Sequence, residues 1–165
     1  MSRPGPLSPL LSESPRQRGI RGFTLIEVMV LVVIVGVLFA MAIPAYSGYL
    51  ERAKVERAIA ELHILQGEIM AFRAGNSALP QDLAGINRGG FLDPWGRPYV
   101  YQELISPQGK KKARSDHFEH PINSDYDLYS SGADGKSIGP LTAKPSWDDI
   151  IRARDGKYIG LVSKF

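Results

Sequence analysis

The hydrophobic pattern of the chain begins with one long apolar run. In residues 23–43, FTLIEVMVLVVIVGVLFAMAI, only Thr24, Glu27 and Gly36 lie outside the apolar set. As a helix, this run spans about 31 Å, which matches the hydrocarbon core of a bilayer. Basic residues precede it at positions 16, 18 and 21. The run therefore predicts a membrane-spanning helix, and the positive-inside rule places its N-terminus in the cytoplasm.

Two other interpretations of the apolar run fit the sequence less well. A buried core helix fits poorly, because a run of this length with one charge is unusual inside a soluble protein. A secretory signal peptide is favoured by the small residues Ala40 and Ala42, which mimic a cleavage site. The run is longer than the usual apolar region of such a peptide, however, and Pro44 would follow the cut. A retained membrane helix is the preferred prediction.

After Pro44 the pattern becomes amphipathic and predicts that the helix continues over residues 44–75. Apolar residues recur every three or four positions, while charged residues pair along the other face. Gly75 and Asn76 predict the end of the helix. Because no turn signal lies around Pro44, the apolar run and the amphipathic segment are predicted to form one helix that is kinked at Pro44. The predicted apolar face comprises Tyr46, Tyr49, Leu50, Ala53, Val55, Ala58, Ile59, Leu62, Leu65, Ile69 and Phe72.

The remaining residues, 76–165, are rich in turns and contain short strand candidates. Aromatic and β-branched residues favour strands at 98–101, 126–129 and 157–162. The basic segment 108–114 is interpreted as a solvated hairpin tip or loop. A small antiparallel sheet laid on the amphipathic half of the helix buries both apolar faces, so the predicted fold class is α+β.

Charge and cysteine content exclude several function classes. The whole net charge of +3 lies in residues 1–22, which carry four arginines against Glu13, and the rest of the chain is neutral. A neutral body presents no strong phosphate-binding field, so no nucleic-acid partner is expected. The chain has no cysteine, which excludes disulfides, thiol nucleophiles and cysteine-ligated metals. Residues 1–22 are proline-rich and aperiodic, as in a tail or targeting leader.

One motif joins this leader to the apolar helix. Gly22 is followed by Phe23, which opens the helix, and by Glu27 four residues further on. A carboxylate in lipid costs about 2.5–3.5 kcal/mol, so Glu27 needs a partner. Cleavage after Gly22 would create that partner in the new α-amine of Phe23, on the same or a neighbouring helix. The alternative is an interfacial carboxylate favoured by the helix dipole.

The segment 22–27 resembles the class III signal of type IV pilin-like proteins. The resemblance implies that a prepilin peptidase cuts between Gly22 and Phe23 and methylates the Phe23 amine. It also implies a pilin-like fold in which Pro44 kinks the long helix. Glu27 would neutralise the amine of a neighbouring subunit in a filament. A small-xxx-small spacing at Gly36 and Ala40 suits close helix contacts in its core.

Two later segments, 92–99 and 127–135, resemble the globular head of the major pseudopilins of type II secretion. This resemblance implies a structural subunit of a homopolymeric pseudopilus that supports protein export across the outer membrane, and no enzyme. Its implied partners are the prepilin peptidase, an inner-membrane secretion platform and minor pseudopilins. The implied location is the inner membrane, with a single span and a periplasmic head, and then a periplasmic filament.

Two rival functions remain at this stage. A type IV pilin for adhesion, motility or DNA uptake shares the motif, but many such pilins carry a C-terminal disulfide, which this chain lacks. A bitopic membrane protein with an outer ligand-binding domain would not polymerise. Such a monomeric anchor has no use for Glu27.

The resemblance further implies a calcium ion in the C-terminal loop. Its predicted ligands are Asp134, in a glycine-flanked turn, and the acidic pair Asp148 and Asp149. Calcium prefers six to eight oxygen ligands, which carboxylates and carbonyls of a tight loop supply. In the alternative interpretation, Asp134 forms a turn and the acidic pair begins a helical turn before Ile150.

Overall fold

A computed structural model of the protein describes residues 22–165. The predicted leader, residues 1–22, lies outside this range except for Gly22. The chain divides into two units, Met1–Ala42 and Ile43–Phe165. Helix α1 (Leu25–Asn76) is continuous in sequence through the boundary and contains Pro44, as predicted.

In the first unit, the described part is the apolar beginning of α1. Every residue from 25 to 42 is exposed. Exposed fractions of its large apolar side chains run from 39% at Val35 to 81% at Leu25. This segment is long and apolar enough to cross a membrane. Its side chains therefore need an apolar environment that residues 22–165 do not supply.

In the second unit, the rest of α1 packs on a four-stranded antiparallel sheet in the order β1-β2-β3-β4. The α+β prediction is thus confirmed. The strands are β1 (Val100–Glu103), β2 (Tyr126–Ser130), β3 (Ile150–Ala153) and β4 (Tyr158–Leu161). Registers pair Tyr101 with Leu128, Tyr129 with Ile151, and Ile151 with Gly160.

The sheet has a core on each face, because successive strand residues point to opposite sides. On one face, Leu128 and Ile150 join the core that α1 covers with four fully buried residues, Ala58, Leu62, Leu65 and Ile69. On the other face, Ile151 and Ala153 pack with Ile122, Leu141 and Val162. The C-terminal segments therefore cover the face that α1 leaves open.

The predicted apolar face of α1 is only partly buried. The four core residues and Val55 follow the prediction, but Tyr46, Tyr49 and Leu50 are exposed. The sheet meets α1 only from about Val55 onward, so the earlier part of the face has no cover within the second unit. The helix ends as predicted, because the Asn76 side chain donates to the Phe72 carbonyl at 2.9 Å.

Two local predictions were wrong. The segment 108–114 is not a loop, because Pro107–Lys112 form a short helix, α2, whose N-terminus is capped by the Ser106 hydroxyl. The acidic pair Asp148 and Asp149 does not begin a helical turn. It leads directly into strand β3, which the strand prediction missed.

A buried arginine ties α1 to the sheet. The Arg152 guanidinium donates to both carboxylate oxygens of Asp125, at 2.8 and 3.0 Å, and its Nε donates to the Gln66 side chain at 2.9 Å. It also stacks on the Tyr126 ring at 3.9 Å and donates to that residue's carbonyl. Since Gln66 belongs to α1, one side chain links the helix to β2 and β3.

Candidate functional site

The N-terminal site lies where α1 begins. The amide of Glu27 donates to the Thr24 hydroxyl at 3.3 Å, and the amide of Thr24 donates to the Glu27 carboxylate at 3.4 Å. This reciprocal pair is a capping box, which satisfies amides that the first helical turn leaves free. The carboxylate of Glu27 is thus held over the helix terminus, beside the Gly22–Phe23 junction.

Charge at this terminus is not balanced inside the described chain. Within residues 22–165 Glu27 has no basic ion-pair partner, and the one hydrogen bond that its carboxylate accepts comes from the Thr24 amide. Gly22 and Phe23 are exposed, with Phe23 at 81%. The dipole favours a carboxylate at this position. The geometry therefore provides a positioned negative charge and an accessible junction.

The second site is the C-terminal loop between β2 and β3. Gly132 starts a tight turn with φ of +63°, and a Cβ there would fall on the Asp148 carbonyl oxygen. Only glycine allows this approach at low cost. As a result, the Asp134 amide donates to the Asp148 carboxylate at 2.8 Å. The Asp134 carboxylate in turn accepts from the Lys136 amide at 2.7 Å.

Asp149, the third predicted ligand, points elsewhere. It is fully buried, and its Oδ2 accepts from Arg114 Nη2 at 2.6 Å and from the Ser137 hydroxyl at 2.6 Å. Burial raises the pKa of the Asp149 carboxyl, while the Ser137 hydrogen bond and the Arg114 charge offset part of that rise. Asp149 therefore forms a buried ion pair, whereas Asp134 and Asp148 meet nearer the surface.

The donor set fits a calcium ion poorly. Calcium needs six to eight oxygens, but the three predicted carboxylates have separate partners. Asp148 accepts from the Asp134 backbone amide, the Asp134 carboxylate accepts from the Lys136 amide, and Asp149 pairs with Arg114. From residue 22 onward, no three acidic, histidine or cysteine side chains are grouped to hold a metal. Calcium binding at Asp134, Asp148 and Asp149 stays a prediction, and the arrangement of the side chains does not support it.

Sequence reasoning missed the arginines that take part in this loop. Arg97 donates to the Gly132 carbonyl at 2.6 Å and to the Ala133 carbonyl at 3.2 Å. Arg114 ends the basic segment 108–114, for which the sequence predicts a solvated loop, yet Arg114 is only 3% exposed. No local signal distinguishes Arg114 from the lysines before it, because its partners lie more than 20 residues away in sequence.

Comparisons with known proteins find relatives for the N-terminal motif and for most of the chain. Residues 17–43 match the family model described as the prokaryotic N-terminal methylation motif. The type II secretion system core protein G of Klebsiella pneumoniae is 34% identical over 144 residues, covering 83% of this chain and 96% of that protein. The chain belongs to the core protein G family, the major pseudopilins.

Other core protein G sequences extend this relationship. The protein of Pseudomonas aeruginosa is 32% identical, with 72% of this chain and 87% of that protein covered. The protein of Escherichia coli is 31% identical, with 70% and 83% covered. No solved structure matches the chain significantly. The predicted resemblance to major pseudopilins is confirmed, and the apolar helix with its methylation motif indicates membrane anchoring.

Proposed function

We propose that this protein is the structural subunit of a pseudopilus in a type II secretion system and has no catalytic role. The observation that carries the proposal is the uncovered apolar surface of residues 25–42 directly behind a methylation motif, in a chain of the core protein G family. A filament of such subunits covers this surface by packing the helices together. Its growth supports protein export across the outer membrane.

Processing comes first in this proposal. A prepilin peptidase cuts between Gly22 and Phe23 and methylates the new amine. The exposure of both residues supports access by the enzyme. The methylation motif matched at residues 17–43 includes the junction. Before the cut, the N-terminus is cytoplasmic and the head periplasmic, with a single inner-membrane span.

Assembly then uses the charge that the capping box positions. Glu27 pairs with the Phe23 amine of a neighbouring subunit, which removes an unpaired carboxylate from an apolar environment. Gly36 and Ala40 allow close contact between helices, and Pro44 lies inside α1 at the position where the family resemblance implies a kink. The inner-membrane secretion platform and minor pseudopilins are the partners that this assembly requires.

The test is the variant Glu27→Gln in cells that overexpress the protein together with the secretion system. Glutamine also satisfies a capping box, so the helix terminus is retained while the negative charge is lost. We expect normal membrane insertion and a processed chain that begins with methylated Phe23, measured by intact mass. Fibre yield should fall at least tenfold, because the Phe23 amine loses its counter-charge.

Thr24→Val is the matched control. It removes the hydroxyl that caps the helix and leaves the Glu27 charge in place. We expect fibre yield close to that of the unmodified protein. Normal fibres from Glu27→Gln, or equal losses from both variants, would contradict the proposed charge pairing. A mature chain that begins at Ile43 would instead identify an ordinary signal peptide.

A further inference from the structure

The guanidinium of Arg114 is buried in the C-terminal loop and surrounded by oxygen atoms. Nη1 donates to the Ser137 hydroxyl at 2.7 Å, and Nη2 donates to Asp149 Oδ2 at 2.6 Å. Nη2 also lies 3.4 Å from the Ile138 carbonyl, and the guanidinium stacks on the Tyr129 ring at 4.0 Å. A hydroxyl, a carboxylate and a carbonyl thus face the two terminal nitrogens of one positive charge, whereas Arg114 Nε and Asp149 Oδ1 are buried without a hydrogen-bond partner in the described residues.

The carbonyls at the start of this loop are also occupied by a guanidinium. Arg97 donates to Gly132 and Ala133, the two residues before Asp134. A hard cation prefers carboxylate and backbone carbonyl oxygens. In this loop, several oxygens of these two kinds already accept hydrogen bonds from arginine N–H groups. A calcium ion would have to compete with these guanidinium groups for the same oxygens.

The charge balance at Asp149 also disfavours a metal ion. Arg114 and Asp149 form a buried pair with side chains 4% and 0% exposed. The pair is neutral, so a divalent ion bound at Asp149 would add positive charge at hydrogen-bonding distance from a guanidinium. Buried like charges repel strongly, because little water screens them.

We propose that the guanidinium of Arg114 is the resident cation of the loop between β2 and β3, where the family resemblance implies calcium. The head of this protein then folds without a divalent metal ion. Arg114 holds the segments at Ser137, Ile138 and Asp149 together from within the chain.

The experiment is thermal unfolding of the full chain, purified in detergent, in millimolar calcium or in excess chelator. Emission of Trp95 and Trp147, the two tryptophans of the chain, reports on the head alone. An ion that binds only the folded state raises Tm by mass action. We expect the two Tm values to agree within about 1 °C. A Tm several degrees higher in calcium, with the rise lost in chelator, would overturn the proposal.

The Tm values of two Arg114 variants are compared with that of a control variant, Arg88→Met. The control removes an arginine from a half-exposed ion pair with Glu68. Arg114→Met should lower Tm by about 10 °C in calcium and chelator alike, because it leaves a buried carboxylate unpaired. Arg88→Met should change Tm by only a few degrees. A Tm for Arg114→Met no lower than that of Arg88→Met would refute the role of Arg114.

Arg114→Lys tests the role of the positive charge even if Arg114→Met fails to fold. Lysine keeps a positive charge but makes fewer fixed hydrogen bonds. If Arg114→Met does not fold, Arg114→Lys should still fold, with a lower Tm that remains equal in calcium and chelator. A lysine variant as unfolded as the methionine variant would refute the cation role. These measurements use the isolated protein, so their failure leaves the proposed pseudopilus function untouched.

Discussion

The strongest stability prediction concerns Arg152, which links α1 to the sheet. In Arg152→Met, the apolar stem still packs, but the double hydrogen bond to Asp125 and the contact with Gln66 are lost. The Asp125 carboxylate then stays partly buried without a counter-charge. Removing one partner of a buried ion pair typically costs about 3–5 kcal/mol.

The magnitude follows from burial on each side of the pair. The Arg152 side chain is 1% exposed, while Asp125 is 19% exposed and keeps some hydration. We therefore expect a loss of about 3 kcal/mol, at the lower end of the range. For a domain of this size, each kcal/mol lowers Tm by about 4 °C. The expected Tm decrease is about 10 °C.

The assay is thermal unfolding in detergent followed by emission of Trp95 and Trp147. Arg57→Met is the matched control, because Arg57 is 66% exposed and its partner Glu61, although 12% exposed, keeps a hydrogen bond from the Tyr99 hydroxyl. Water solvates the Arg57 end of this pair, so its loss should cost about 1 kcal/mol and lower Tm by about 4 °C. A decrease for Arg152→Met no larger than for Arg57→Met would refute the reasoning.

Two further predictions concern the loop and acid stability. Gly132→Ala should destabilise the head by about 2 kcal/mol or more in chemical denaturation, because the φ of Gly132 is positive and the added Cβ meets the Asp148 carbonyl. The control Gly139→Ala, which has open space around it, should change the free energy of unfolding little. The Arg88 hydrogen bond lowers the pKa of Glu68 below its usual 4.5. Its contribution to stability is therefore present above pH 4.5 and lost as pH falls through the lower folded value. Glu68→Gln should reduce stability by under about 1 kcal/mol at pH 6 and by progressively less as the pH falls below 4.5. A loss that does not shrink with falling pH would contradict this.

Local sequence features were sufficient for the membrane helix, its motif and most of the fold. The run 23–43 is long and apolar enough to cross a membrane, and this property can be predicted locally because lipid compatibility depends on composition and length. Strands β1, β2 and β4 carry aromatic and β-branched residues that favour extended backbone. The helix end at Gly75 and Asn76 is likewise encoded locally.

Strand β3 and helix α2 were not predicted. In β3 the sequence Ile150–Ala153 includes an arginine and follows two aspartates, which suggests solvent exposure. Burial of Arg152 depends on Asp125 and Gln66, both far away in sequence. Helix α2 does carry a local signal in Ser106 and Pro107, a capping residue followed by proline at the first helical position.

The sequence by itself predicted which segment is apolar enough to cross a membrane, and its methylation motif predicted where a processing enzyme would act, because both signals depend on neighbouring residues. Tertiary structure alone decided which charges are buried and paired. Arg114 resembles its neighbouring lysines in sequence, and Asp149 resembles Asp148, but the fold brings Arg114 and Asp149 together across 35 residues. A buried charge is tolerated only beside its partner, so its role is fixed when distant segments pack together.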